Sequence, residues 1–301
     1  MGRQHDNDFI VAVRKAGQQL MAAFQPVVPF LVTGAASMGA YAAGLAAAQA
    51  AGMALRVSCV TPVAGPVGGL LGVGFASAAA GQAAIKCRMY FEDNKNPLTQ
   101  PLWRGVRGDD LLMDALLGIA FFKAMGGRFR SVMPSDLSRV GAIARESLPA
   151  AGVEYATAAN KVELVRFFRR DGCHHCGKRR GALIGDHMPP NKHVKEGLGT
   201  MQRSLYKVYR VPYVRQVAEA LAIPTRPPRQ RYFPQCESCS QKQSAAIRNN
   251  RIVLVFHEVL HHGGHGEAWH YAGTLLGLRH YSSSSSTSTK SGGSSGRGAR
   301  R

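Results

Sequence analysis

The chain has 301 residues and carries 38 Lys+Arg against 18 Asp+Glu, a formal net charge of +20, with 45% hydrophobic residues. That apolar share excludes wholesale disorder, and six Cys over such a length exclude a disulfide-stapled mini-protein. The basic excess points to an anionic partner, either nucleic acid or a lipid surface.

The N-terminal segment, 1–26, has no short apolar core followed by a small-residue cleavage site, so no cleaved signal peptide is expected. From Ala16 to Ile85 the only charged residue is Arg56. It separates two apolar runs, Val27–Leu55 and Val57–Ile85, of 29 residues each. A bilayer core about 30 Å thick needs roughly 20 helical residues, so each run is long enough to span it with tilt. The sequence therefore predicts a transmembrane helical hairpin over 27–86. Its glycines, among them Gly34, Gly39, Gly44, Gly52, Gly68, Gly72 and Gly81, suit helix–helix association through small-residue faces. A buried Ala/Gly-rich hairpin in a soluble protein stays open as the alternative. Arg14 and Lys15 before the hairpin, and Lys86, Arg88 and Lys95 after it, outweigh the single Arg56 between its helices. The positive-inside rule then places both termini and the following domain on the cytoplasm-like side of an unspecified membrane.

A helical linker region, 87–165, follows. Within it Leu111–Met125 reads as an amphipathic helix, packed or lying on the membrane surface. Arg128–Arg251 holds 23 Lys+Arg against nine Asp+Glu, a net +14, so most of the basic charge lies here.

Cys173-His174-His175-Cys176 and Cys236-Glu237-Ser238-Cys239 are two CxxC pairs. Each pair puts two thiolates on one tight turn, able to take two corners of a tetrahedral site, so a four-cysteine structural Zn is expected, with redox or unpaired thiols as the alternative. The two pairs define a zinc-binding domain over 166–250. His174 and His175 are expected to be exposed in the knuckle, and Cys59 and Cys87 to be small apolar residues. Between the pairs lies Ile184-Gly185-Asp186-His187-Met188-Pro189-Pro190-Asn191-Lys192.

These residues, over about 172–248, resemble the HNH (ββα-metal, treble-clef) endonucleases that carry zinc knuckles. The resemblance implies that Asp186 and His187 end a β-strand and that a helix begins after the second knuckle. It also implies that Asp186 ligates a catalytic Mg or Mn and that His187 is the general base on water. Lys178, Arg179, Arg180, Lys192 and Lys242 are the candidate phosphate-binding residues. The chain departs from that pattern at Ser240, where the family carries Asn or His as second metal ligand. It departs again before the second knuckle, where Arg229, Gln230, Arg231 and Tyr232 stand in place of an Asn. Asn191 and His193 are the possible substitutes.

The insertion Val194–Arg231 interleaves Tyr206, Tyr209 and Tyr213 with Arg203, Lys207, Arg210 and Arg215. That pattern suits base stacking, anionic headgroups or an ordinary helix with Tyr in its core. His257-Glu258-Val259-Leu260-His261 matches the HExxH of zinc proteases, but Gly263 and Gly264 break the helix at once. The His-rich segment 251–280, with apolar flanks Ile252–Phe256 and Leu275–Leu278, is expected to form a helix pair. A disordered Ser/Gly/Arg tail, 281–301, completes the chain.

The expected fold class is mainly α with a small α+β zinc domain: a Gly/Ala-rich transmembrane hairpin followed by an HNH-like treble-clef domain. The expected function is that of a membrane-anchored zinc protein binding nucleic acid or lipid headgroups, with degenerate or active metal-dependent nuclease chemistry. A non-enzymatic membrane scaffold with purely structural zinc is the alternative, and an HExxH metalloprotease a third.

Overall fold

The computed structural model describes residues 27–93, 107–150, 156–192, 194, 211–220, 229–257 and 268–282, with Lys15, Gln18, Gln19, Ala22, Phe24 and Gln25. His193, Tyr206, Tyr209, Arg203, Lys207, Arg210, Glu258, His261 and the tail beyond 282 lie outside the described residues.

The chain is mainly helical, in two compact units. The first comprises Met1–Gly44, Gly74–Met125 and Ala268–Arg301; the second comprises Leu45–Val73 and Gly126–Glu267. The unit boundary falls inside the two long apolar helices, α1 (Val28–Ala54) and α2 (Ala64–Asp93). Pro29 and Pro66 sit in the first turn of each, where the missing N–H costs no intrahelical bond. Both helices are long and apolar enough to cross a membrane.

In the first unit, α1 and α2 approach closely: a Cβ on Gly44 would lie 2.5 Å from the Ala76 Cα. Helix α3 (Gly108–Ala124) runs antiparallel to α2. Gly81 faces Asp114, Ser77 faces Gly118, and Gly74 faces Ile119. Helix α7 (Ala272–Ser282) runs antiparallel to α1, with Gly273 against Tyr41 and Gly277 against Ser37. Gly273 and Gly277 form a small-xxx-small pair that lets the two backbones approach.

The structure corrects the amphipathic reading of α3. The departure is at Asp114, which is 0% exposed, whereas Leu112 and Leu116 are 60% and 53% exposed; Phe122 is buried and Lys123 exposed, as an amphipathic helix requires. The cause is a set of partners on α7. The Asp114 carboxylate accepts from Arg279 and from His280 Nε2, the latter at 3.0 and 2.9 Å to its two oxygens. Pairing offsets the cost of desolvating the carboxylate, leaving Leu112 and Leu116 outward.

In the second unit, the interhelical turn packs on residues that precede the first knuckle. Arg56 closes the turn in a left-handed backbone conformation (φ 56°). The Cys59 amide donates to Pro134 O at 2.9 Å, and Gln49 Nε2 donates to His257 O at 3.1 Å.

The rest of that unit is a small α+β layer. Helix α4 (Ala158–Asp171) is capped by Thr157, whose side chain accepts from the Asn160 amide. It ends at Gly172 (φ 81°), where a Cβ would collide with the Gly177 carbonyl. Strands β2 (Leu148–Pro149), β4 (Arg231–Cys236) and β3 (Leu183–Met188) form an antiparallel sheet in the order β2-β4-β3. Helix α5 (Pro212–Ala220) lies between β3 and β4 in sequence, and α6 (Glu237–Arg248) follows β4 directly. Strand β1 (Ser135–Asp136) pairs with β5 (Leu254–Val255). The expected helix over Ile252–Phe256 is therefore corrected: Leu254 and β-branched Val255 pair in extended conformation with β1, with Val253 just before them.

Candidate metal centre

The turn after α4 and the start of α6 bring Cys173, Cys176, Cys236 and Cys239 together. All four are buried, and their sulfurs lie within 4.8 Å of one another, so the group could hold a metal ion such as zinc. A tetrahedral Zn–S₄ unit with bonds near 2.3 Å sets its sulfurs about 3.8 Å apart. Cys176 Sγ and Cys236 Sγ are separated by 3.5 Å. Burial pushes the Cys173 thiol up from its ordinary pKa, while hydrogen bonds from the neighbouring thiols pull Cys236 down. Thiolates sharing one buried space repel one another, so a cation bound there would be what lets all four ionise.

The fold holds the cluster from several sides. The sulfurs pack with Leu137 and Phe168 in one core cluster. The Cys173 amide donates to Lys178 O, and the Gly177 amide donates back to Cys173 O. The cis Met188–Pro189 peptide lies at the far end of β3.

The histidines of the first knuckle are where the structure departs most from the sequence reading. His174 and His175, expected in solvent, are 2% and 0% exposed. The His174 ring stacks on Phe233, 5.2 Å between centroids, and lies tilted against His175 at 3.9 Å. These rings fill the interior beside the sheet instead of decorating the turn. The Gly141 amide donates to His174 Nδ1 at 3.1 Å, which fixes the ring proton on Nε2, 3.1 Å from Asp186 Oδ2. Burial lowers His174 to about 3 and holds His175 well below its ordinary value, so both rings are neutral.

Asp186 and His187 do lie on β3, paired with Phe233 and Tyr232 of β4. Their side chains diverge. Asp186 is buried among the knuckle residues and accepts from His174 and from Gln243 Nε2 at 3.1 Å. Its pKa is raised to about 6 by burial, partly offset by the neighbouring His175 and Gln243. His187 is also buried and meets the Tyr232 ring edge-on at 4.6 Å.

Gln243 is the residue that sequence reasoning missed. It lies one helical turn beyond Cys239, so the metal-ligand face of α6 carries it inward, where it also donates to Leu137 O at 2.8 Å. Ser240, one residue past the knuckle, is half-buried. Asn191 accepts from Gln230 Nε2 at 2.7 Å.

The candidate phosphate ligands separate into two groups. Lys178, Arg180 and Lys242 are exposed, with Arg179 half-buried next to them in sequence. Lys192 is half-buried and donates from Nζ to Ile247 O at 3.0 Å, which ties it to the end of α6. His257, the first residue of the HExxH sequence, is 2% exposed, with Nε2 3.2 Å from Met133 O. Comparison with known proteins returned no matching family model, curated protein or solved structure.

Proposed function

We propose that this chain is an integral membrane protein whose basic unit is held by a four-thiolate zinc centre and binds anionic lipid headgroups. The observation that carries the reading is the coexistence of two membrane-length apolar helices with four converging buried thiols and a cationic knuckle. Lipid contact suits the outward residues Leu31, Leu71, Phe75, Leu112 and Leu116, all more than half exposed on their helices.

Each Lys or Arg near an anionic surface contributes about 1 kcal/mol, screened by salt within a Debye length of about 10 Å. Lys178, Arg180 and Lys242 together supply about 3 kcal/mol of such attraction. The order knuckle, β3 with Asp186–His187, β4, knuckle, α6 is the basis for relating this unit to the HNH class. Burial of Asp186 and His187 favours a binding scaffold over a cutting site, because neither group reaches solvent where a phosphodiester could bind.

The test is chemical footprinting of the full chain in bilayer discs of neutral or anionic lipid. Amine labelling of Lys178 and Lys242 is expected to fall several-fold in anionic bilayers at low salt and to recover at high salt. Labelling that ignores lipid charge but falls when duplex DNA is added would replace the lipid reading with a nucleic-acid one. Hydrolysis of that DNA in Mg²⁺, lost in His187→Ala, would restore the nuclease reading.

A further inference from the structure

The four-cysteine centre leaves a second group of ligand-type residues unused beside it. His174, His175 and Asp186 each offer one donor atom, and these atoms lie within 4.8 Å of one another. All three side chains are at least nine-tenths buried. The group is not satisfied from within the protein. Both ring nitrogens of His175 are buried with no hydrogen-bond partner among the described residues. So are both amide atoms of Gln235. The register pairs Asp186 with Phe233 and Ile184 with Gln235, so Asp186, Phe233 and Gln235 share one face of the sheet. His174 stacks on Phe233 from that same face. Buried polar atoms are nearly always paired, so an unpaired imidazole beside a carboxylate calls for a partner the chain itself does not supply.

We propose that His174, His175 and Asp186 bind a second divalent cation of the zinc class, sealed in the interior beside the four-cysteine centre. Two imidazoles and a carboxylate are a ligand set that zinc accepts, and Gln235 is the candidate fourth donor. Charge balance favours the pair of sites. A zinc ion with four thiolates carries a net charge of −2, and a dication with one carboxylate and two neutral imidazoles carries +1.

His175 ligates through a nitrogen that gives up no hydrogen bond. His174 ligates through Nε2, whose proton moves to Nδ1, so the ring stays neutral and no net proton is released. Gly141, whose amide donates to Nδ1 in the ion-free arrangement, must then turn that amide elsewhere. The ion therefore leaves a mark on a backbone amide that is not itself a ligand. This site faces the interior, so it assigns Asp186 to the fold and removes it from any substrate-facing role.

Cobalt substitution of the full chain in detergent under reducing conditions tests this. Two cobalt ions per chain are expected, with thiolate-to-cobalt charge-transfer bands saturating at one equivalent. The second equivalent adds only ligand-field absorption and changes the Gly141 amide resonance. One ion per chain, or a second equivalent that also raises the thiolate bands, overturns the proposal. His175→Ala is expected to keep the thiolate bands and hold one ion; retention of two ions overturns it. If His175→Ala loses both ions by misfolding, Asp186→Asn gives the same reading, with one ion expected and two contradicting the site.

Discussion

Cys173→Ser is expected to cost the chain its four-cysteine zinc and to open the unit around both knuckles. The sulfurs are part of the core here, packed with Leu137 and Phe168, so losing the ion also leaves a buried polar gap among the remaining thiols. Structural zinc contributes apparent binding energies of about 10–16 kcal/mol in small zinc domains, more than the whole stability of most domains. With zinc bound, removing one of four ligands would take away a large part of what holds α4, β4 and α6 together. Elemental analysis alongside limited proteolysis of the full chain measures both parts. Sub-stoichiometric zinc with cleavage near the knuckles is the expected result. Unchanged zinc and an unchanged protease pattern would remove Cys173 from the site.

The second large effect lies in the other unit. Asp114→Leu is expected to destabilise the packing of α3 with α7 by about 3 kcal/mol, the typical cost of breaking a buried ion pair by removing one partner. Arg279 is about one-third exposed, so its share of the Coulomb energy is reduced by screening. His280, 8% exposed at its side chain, loses the carboxylate it meets at 2.9 Å. The double variant Asp114→Leu/Arg279→Met is expected to recover part of the loss, because it also removes a guanidinium that has lost its buried carboxylate and keeps the half-buried Asp110. Thermal unfolding in detergent, followed by exposure of Cys87 to a thiol reagent, reads the difference. Equal stability of Asp114→Leu and the native sequence would mean that the pairing carries no energy.

What the sequence disclosed and what it concealed follow from the range of the interactions involved. The hairpin helices were legible because nearly seventy uncharged residues constrain the environment without reference to any other part of the chain. The cysteine cluster was legible because each CxxC is a local turn and only the meeting of the two turns is tertiary. Asp186 and His187 fell on a strand, as the HNH resemblance implies, since β3 is flanked by turn-forming Gly181 and by Pro189 and Pro190.

The orientation of side chains was not legible. Whether His174 and His175 point outward or inward depends on Phe233 and Asp186, and Phe233 lies some sixty residues further along. Asp114 looked like the polar face of an amphipathic helix because its partners, Arg279 and His280, arrive from the far end of the chain. The packing partners of the interhelical turn were equally invisible, since the hydrogen bonds from Cys59 to Pro134 and from Gln49 to His257 join residues far apart in sequence.

The central claim is that the two apolar helices anchor this metal-binding chain in a bilayer. Alkaline carbonate washing of membranes containing the full chain tests it most directly, because that treatment strips proteins held by charge or by other proteins. The account predicts that the chain stays in the washed membrane pellet and comes out only with detergent. Its appearance in the carbonate supernatant would contradict the anchor and would make the hairpin the buried core of a soluble protein.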